Sequence, residues 1–518
     1  MKKNIKILNA AGRFCDSALC GVYLTVFTVL SAISLTSTTA LNTENSMLEN
    51  IYYQSDSIVL NLLSVAAFFV CMRYLRRFLE RISEFGMILV MSAFVFLFGF
   101  IWTMSVQSVP AHDSNFVASA ALKAANGNLS FISDSYFRYF PFQLGYVFFC
   151  EIFIRIFRFG NYFVPFQLIN LFALIFAYIA ICRLSLLVSG NRAVHNMTAF
   201  LLAICLQPVM YCTFVYGNIV SFSLAIWAVL FTARMVVENK KRLVIPAAFL
   251  LAVAVAVKQN SMIILAALCI ILVVETLKTR RIYNIIAALV LLASSLSFYR
   301  LIILGYAVRS ETDIGGGIPK LLWMNMGLNE SEIAPGWYNA EYTVIDYQRS
   351  GCDPGIASKN AKAEILQRLV YFKNNPEYAL SFFYQKEVSQ WNEPSYDCIW
   401  ISETKGHYVA KLPFYVGSVY KGAFGRIFYS YFNLYQQIIF FFSAAAMLVL
   451  LKKPAKLFTI LPLIILGGFL YHTLFEGKSQ YVLTYFVLTV PLAAYGICRV
   501  LELNCNRPPE NMLYKIKK

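Results

Sequence analysis

Asp113 is the side chain whose type and neighbourhood best suit it to chemistry. It lies in Val109-Pro110-Ala111-His112-Asp113-Ser114-Asn115, just beyond an apolar stretch from Gly86 to about Val106. A carboxylate there can take the proton of an attacking hydroxyl, or offer hard oxygen ligation to a metal. Alone it reads as a solvated loop acid. Its place after a proline, at the mouth of an apolar helix, favours chemistry. His472 and Glu476 are four residues apart at a helix end and share a face. Lys478 completes a compact polar cluster. Such a lysine can snorkel to the interface or compensate a departing phosphate, and Lys258 has the same two readings. His112, Asp113, His472 and Glu476 are candidate ligands for a divalent cation such as Mg, Mn or Zn, although a lone loop histidine is more often solvated.

The elements that must hold these groups are membrane helices. The chain has 518 residues, 59% of them apolar and 14% charged, with mean hydropathy +0.62. Soluble proteins carry about 25% charged residues. Apolar runs of ~20 residues recur, each long enough to cross a bilayer, and the alternating pattern of a membrane barrel is absent. The expected fold is an all-α polytopic membrane protein with about 12 transmembrane helices. Spans are expected near 17–38, 57–75, 86–107, 162–187, 196–216, 218–237, 244–258, 261–277, 283–306, 433–451, 455–474 and 482–502. The basic start, Met1-Lys2-Lys3 to Arg13, precedes a run too long for a signal peptide, so a retained first span is expected.

The net charge of +17 concentrates in short connectors, which is the positive-inside pattern and not a nucleic-acid footprint. Charge parity settles the ambiguous segment Tyr139–Phe157. If it crosses, Lys240-Lys241-Arg242 and Lys278–Arg281 fall outside; if it lies at the interface, both fall inside with Lys452-Lys453 and Lys515–Lys518. An interfacial helix is therefore expected, with both termini cytoplasmic. Asp113, the turns Tyr216-Gly217-Asn218 and Lys258-Gln259-Asn260, and the segment Glu476–Tyr481 then share the outer side with a large loop. The expected divisions are a two-span extension (1–85), a membrane core (86–306) with its first outer loop at 108–138, an extracytoplasmic loop region (307–432), C-terminal spans (433–502) and a basic tail (503–518).

The large loop holds Gly315-Gly316-Gly317, Pro335-Gly336-Trp337-Tyr338-Asn339, Phe382-Phe383-Tyr384-Gln385-Lys386 and Gln390-Trp391-Asn392-Glu393-Pro394. Loops this long are commonly functional. Aromatic faces beside amides and acids suit sugar binding, or else an interfacial belt. Trp337, Trp391 and Glu393 are candidate substrate contacts, with Tyr216, Asn218, Gln480 and Tyr481. Cys352 and Cys398 can pair if the loop is extracytoplasmic. No Walker loop, dinucleotide fingerprint, GxSxG or HExxH is present.

In this order, His112-Asp113, Tyr139-Phe140-Pro141-Phe142-Gln143-Leu144-Gly145, Phe214–Asn218, Lys258-Gln259-Asn260, Gln390–Pro394 and Phe475–Tyr481 resemble the GT-C superfamily of integral-membrane glycosyltransferases. The likeness is to protein O-mannosyltransferase and aminoarabinose-transferase types, over roughly residues 86–502. It implies a polyprenyl-phosphate sugar donor, an acceptor outside a bacterial plasma membrane, Asp113 as catalytic carboxylate, and Lys478 with Lys258 at the donor phosphate. The family's paired acids are here Asp113 followed by Ser114, which leaves the metal open.

The expected activity is inverting transfer of a sugar from the lipid carrier to a glycan, lipid or protein, with Asp113 as base. The rivals are a transporter or flippase of lipid-linked sugars and a non-catalytic scaffold. Ion-coupled transporters usually bury ionisable groups deep in their spans, whereas Arg183, Arg234, Glu275 and Arg300 lie toward helix ends.

Overall fold

A computed structural model describes residues 2–42, 49–158, 160–403, 406–452 and 459–503. The expected basic tail falls outside these residues except for Leu503, as does Lys453. The chain opens with α1 (Lys2–Thr36), β1 (Ser37–Asn42), β2 (Asn50–Ser55) and α2 (Ile58–Leu79). α3 (Glu84–Val106) leads to α4 (Asp113–Ala125), α5 (Ser135–Tyr139) and α6 (Leu144–Phe157). A helical run follows: α7 (Val164–Ser189), α8 (Arg192–Ala203), α9 (Leu206–Tyr211), α10 (Asn218–Glu238), α11 (Val244–Val257), α12 (Met262–Thr279) and α13 (Tyr283–Ser310). The large loop folds into α14 (Lys320–Gly327), α15 (Asp346–Arg349), α16 (Pro354–Asn374), α17 (Pro376–Trp391), α18 (Trp400–Glu403) and α19 (Phe414–Lys421). The last helices are α20 (Ala423–Lys452), α21 (Ile460–Leu474) and α22 (Ser479–Leu503).

The architecture is the all-α polytopic one that the hydropathy implies. Among the described residues, nine helices are long and apolar enough to cross a membrane: α1 from Phe14, α2, α3, α7, α10, α12, α13, α20 and α22. The other three expected spans fall on shorter helices that are not among these nine: α8 with α9, α11 and α21. The break between α8 and α9 has a cause in Pro208. Proline has no N–H for the carbonyl four residues back, and its ring crowds that carbonyl. The carbonyl is that of Ile204, and it accepts instead from the Tyr431 hydroxyl. α11 has 14 residues and α21 has 15. At 1.5 Å per residue they reach only ~21–22 Å, short of a hydrocarbon layer of ~30 Å. α6 also has 14 residues and packs against α4, α11 and α13.

Local capping explains several boundaries. Ser83 Oγ accepts from Gly86 N at 3.0 Å to start α3, and Asp353 Oδ1 accepts from Ile356 N at 2.8 Å to start α16, with Pro354 in its first turn. α6 approaches α11 so closely that a Cβ on Gly145 would lie 1.8 Å from the Ala256 carbonyl oxygen. Glu151 of α6 is buried and accepts from Tyr306 at 2.6 Å and Arg309 at 2.7 Å, tying α6 to α13.

The amino-terminal hairpin pairs antiparallel, Ser37 opposite Ser55, and docks on the large loop: Thr39 N donates to Asn392 O at 3.1 Å, and Asn392 Nδ2 to Ser37 O at 2.9 Å. α1 enters the core, where Phe27 meets the rings of Trp391 and Phe440 edge-on. The pairing left open for the loop cysteines is not formed. Cys352 and Cys398 are both free thiols, because Cys398 is sealed in the main core while Cys352 packs in a separate small cluster with α14 and α16.

Candidate functional site

The segment before Asp113 is held from two sides. Val109 N donates to Gly406 O at 2.9 Å and Tyr408 N to Gln107 O at 2.9 Å, while Gln167 Nε2 donates to Ser108 O at 2.7 Å. His112 takes a left-handed φ of 49°, which turns the chain into α4. Asp113 is the first residue of α4, where the helix dipole favours a negative charge. It is exposed, and its Oδ2 accepts from the Tyr216 hydroxyl at 2.9 Å.

Tyr216 comes from the turn between α9 and α10. Gly217, with φ of 82°, lets that turn pass close to the Tyr146 ring, which a Cβ would approach at 3.0 Å. The Tyr216 side chain is buried, and its oxygen also accepts from Gln143 Nε2. Burial, with the Asp113 carboxylate, pushes its phenol well above the ordinary value. It therefore remains a donor to Asp113.

Lys258 follows the last residue of α11, the short helix. Its Nζ stands 3.5 Å from the centroid of the Tyr216 ring, a cation–π contact. Burial pushes the Lys258 ammonium down to about 7, against the pull of the Asp113 and Glu476 carboxylates. Glu476 shows the complementary effect. Burial pushes it up to about 7; Lys478 opposes that shift and the Asp113 charge adds to it. Tyr481 donates to Glu476 Oε1 at 3.3 Å. Asp113, Tyr216, Lys258 and Glu476 thus lie together. Beside them Asn218 Nδ2 donates to the Tyr211 hydroxyl at 2.7 Å, and that hydroxyl to Gln480 Oε1 at 2.9 Å. A cleft between α10, α12 and α22 opens at Lys258, with Asn218, Gln480 and Tyr481 on its walls.

Other expected site residues are engaged elsewhere. Lys478 is ion-paired with Glu49 and lies 3.8 Å from Asp397. Burial opposes its charge, but Glu49 and Asp397 outweigh burial and hold it above its ordinary value. Trp337 and Trp391 are fully buried, so the structure corrects the expectation that they offer a face to a sugar. Trp337 Nε1 donates to Ser389 Oγ at 2.8 Å, and Trp391 packs on Phe27 and Phe469. Glu393 is buried and accepts from Ser395 N at 2.9 Å and Asp397 N at 2.8 Å; it organises its own turn. The His472 ring is buried, 2.9 Å from Glu476 O through Nδ1 and stacked on Tyr481. Among the described residues no group of three or more His, Cys, Asp or Glu side chains gathers to hold a metal, and His112, Asp113, His472 and Glu476 are not brought together as such a group. Sequence reasoning had no signal for Glu49 or Asp397 as partners of Lys478, and it passed over Gln143 as a partner of Tyr216.

The solved archaeal oligosaccharyltransferase AglB from Archaeoglobus fulgidus, in complex with an inhibitory peptide and a dolichol-phosphate, is similar over 83% of this chain and 53% of that one, at 13% identity and a TM-score of 0.41. This chain spans about half the length of that protein, and a likeness so distant carries no argument about activity. No curated protein matches. The chain belongs to the family described as conserved hypothetical integral membrane protein, which matches residues 12–499.

Proposed function

We propose that this integral membrane protein is a glycosyltransferase of GT-C type that moves a sugar from a polyprenyl-phosphate donor to a hydroxyl outside a bacterial plasma membrane. The observation that carries the reading is the line Asp113–Tyr216–Lys258, a carboxylate and a half-buried lysine joined through one tyrosine. The acceptor oxygen attacks the anomeric carbon as the bond from that carbon to the phosphate oxygen breaks. The acceptor proton passes to Asp113, and the electron pair leaves on the polyprenyl phosphate beside Lys258. A single displacement inverts the anomeric centre. Lys258 is assigned the phosphate ahead of Lys478, because Lys478 already faces two carboxylates. An arriving phosphate draws a full charge onto Lys258. Glu476, pushed up to about 7, limits the negative charge that an anionic donor meets.

The test is incubation of purified protein with radiolabelled polyprenyl-phosphate sugars and a panel of glycan, lipid and protein acceptors. Asp113→Asn should lose at least about 100-fold in transfer and retain donor binding. Donor crossing the bilayer unchanged, with no transfer, would replace this reading with a flippase. An absence of donor binding would leave a scaffold. Cysteine labelling should find positions 113 and 258 accessible from the same, non-cytoplasmic side.

A further inference from the structure

Lys386 lies outside the line of groups just described, yet it is among the most completely buried charged residues, with no exposed surface. Its Nζ donates to three backbone carbonyls: Gly327 O, Thr473 O at 3.0 Å and Phe475 O at 2.7 Å. An ammonium has three N–H donors, and three acceptors surround it. A neutral amine would turn a lone pair toward one of these oxygens. Burial works against the charge, while Glu387 and Glu476 favour it. The carbonyls also come from two helix C-termini, since Gly327 ends α14, and Thr473 and Phe475 lie at the end of α21. Each helix end brings partial negative charge and unpaired carbonyls to the same point.

The clamp adjoins the segment that carries Glu476. Gly477 N donates to Gly336 O at 2.8 Å, and a Cβ on Gly477 would lie 3.3 Å from Lys386 Cε. Gly336, at φ of 71°, has no room either: its Cβ would stand 2.6 Å from both Gly327 O and Lys386 Nζ. The helices of the large loop and the end of α21 therefore close around one ammonium. We propose that Lys386 is a positioning residue whose clamp on the ends of α14 and α21 fixes segment 475–478 and so sets the Glu476 carboxylate against Lys258 and Asp113. Its consequence for transfer rests on the glycosyltransferase reading; its structural part does not.

The test compares full-length wild type with Lys386→Met in lipid nanodiscs by hydrogen–deuterium exchange. Peptides covering 472–480 should exchange about tenfold faster in the variant, as expected when charge-assisted bonds are lost. Peptides from α10 should be unchanged. The pH profile of transfer from a polyprenyl-phosphate sugar should also shift near pH 7, the region toward which burial pushes both Glu476 and the Lys258 it faces, a readout that general destabilisation would not move. Lys386→Arg, which restores a cation, should recover part of both. Unchanged exchange over 472–480, or an unchanged pH profile in an active variant, overturns the proposal. Faster exchange with no transfer by wild type would sink the glycosyltransferase reading and support the clamp. Should Lys386→Met fail to fold, Gly336→Ala presses on the same ammonium while keeping its charge, and carries the same expected and overturning results.

Discussion

Tyr216 serves Lys258 with its ring face and Asp113 with its hydroxyl: the Lys258 Nζ lies 3.5 Å from the ring centroid, and the hydroxyl donates to Asp113 Oδ2 at 2.9 Å. The two contacts use different parts of one side chain, so substitution can separate them.

Tyr216→Phe keeps the face under Lys258 and removes the hydroxyl. A hydrogen bond to a charged group is worth about 1.5–3 kcal/mol, so transfer should fall about 10- to 100-fold while donor binding holds. Steady-state kinetics check this, and a variant with full turnover would detach Tyr216 from the base.

Donor affinity should depend on pH in one direction. Burial lowers Lys258 from the usual 10.5 to about 7, and only the ammonium attracts the phosphodiester, which does not itself titrate there. Affinity is then full below about pH 7 and falls as pH rises through it, approaching about tenfold per unit. Glu476 gains its negative charge in the same window and steepens the loss. Lys258→Arg should flatten the curve, because a guanidinium stays charged. Binding isotherms between pH 6 and 9 are the measurement, and an equal slope in both proteins would exclude Lys258 from the phosphate.

Lys478→Met should act on stability. It leaves Glu49 and Asp397, both buried, without their shared cation. Breaking a buried pair in this way costs about 3–5 kcal/mol. Thermal unfolding in detergent should show the loss. A fully stable variant with a raised KM for donor would return Lys478 to the phosphate.

Trp391→Ala should likewise unfold at lower temperature, at a cost of about 3–5 kcal/mol for emptying a packed site. Trp337→Phe gives up one bond to Ser389, worth about 1 kcal/mol. Neither should change sugar selectivity in the protein that survives, which competition among donor sugars would detect.

The helical class was legible in the chain because each apolar run reports its own preference between water and lipid. The three expected spans that fall on shorter helices carried signals of a different kind. Pro208 could be read as a helix breaker from its chemistry, but the hydrogen bond that the Tyr431 hydroxyl donates to the freed Ile204 carbonyl could not. The tryptophans misled for a related reason: an aromatic residue beside amides has the same composition whether its face is open or sealed, and Trp391 is sealed by Phe27 of α1 and Phe469 of α21.

Hydropathy therefore determined by itself that this is a multi-span helical protein, and the distribution of lysine and arginine gave the expectation that segments 113, 216–218, 258–260 and 476–481 share one side. Only the tertiary structure decided the pairings within that group: Lys258 with Tyr216, Lys478 with Glu49 across 429 positions of sequence, and Lys386 with the ends of two helices. Partition between water and lipid is a property of each segment alone, whereas a contact of a few ångströms depends on where every other segment has packed.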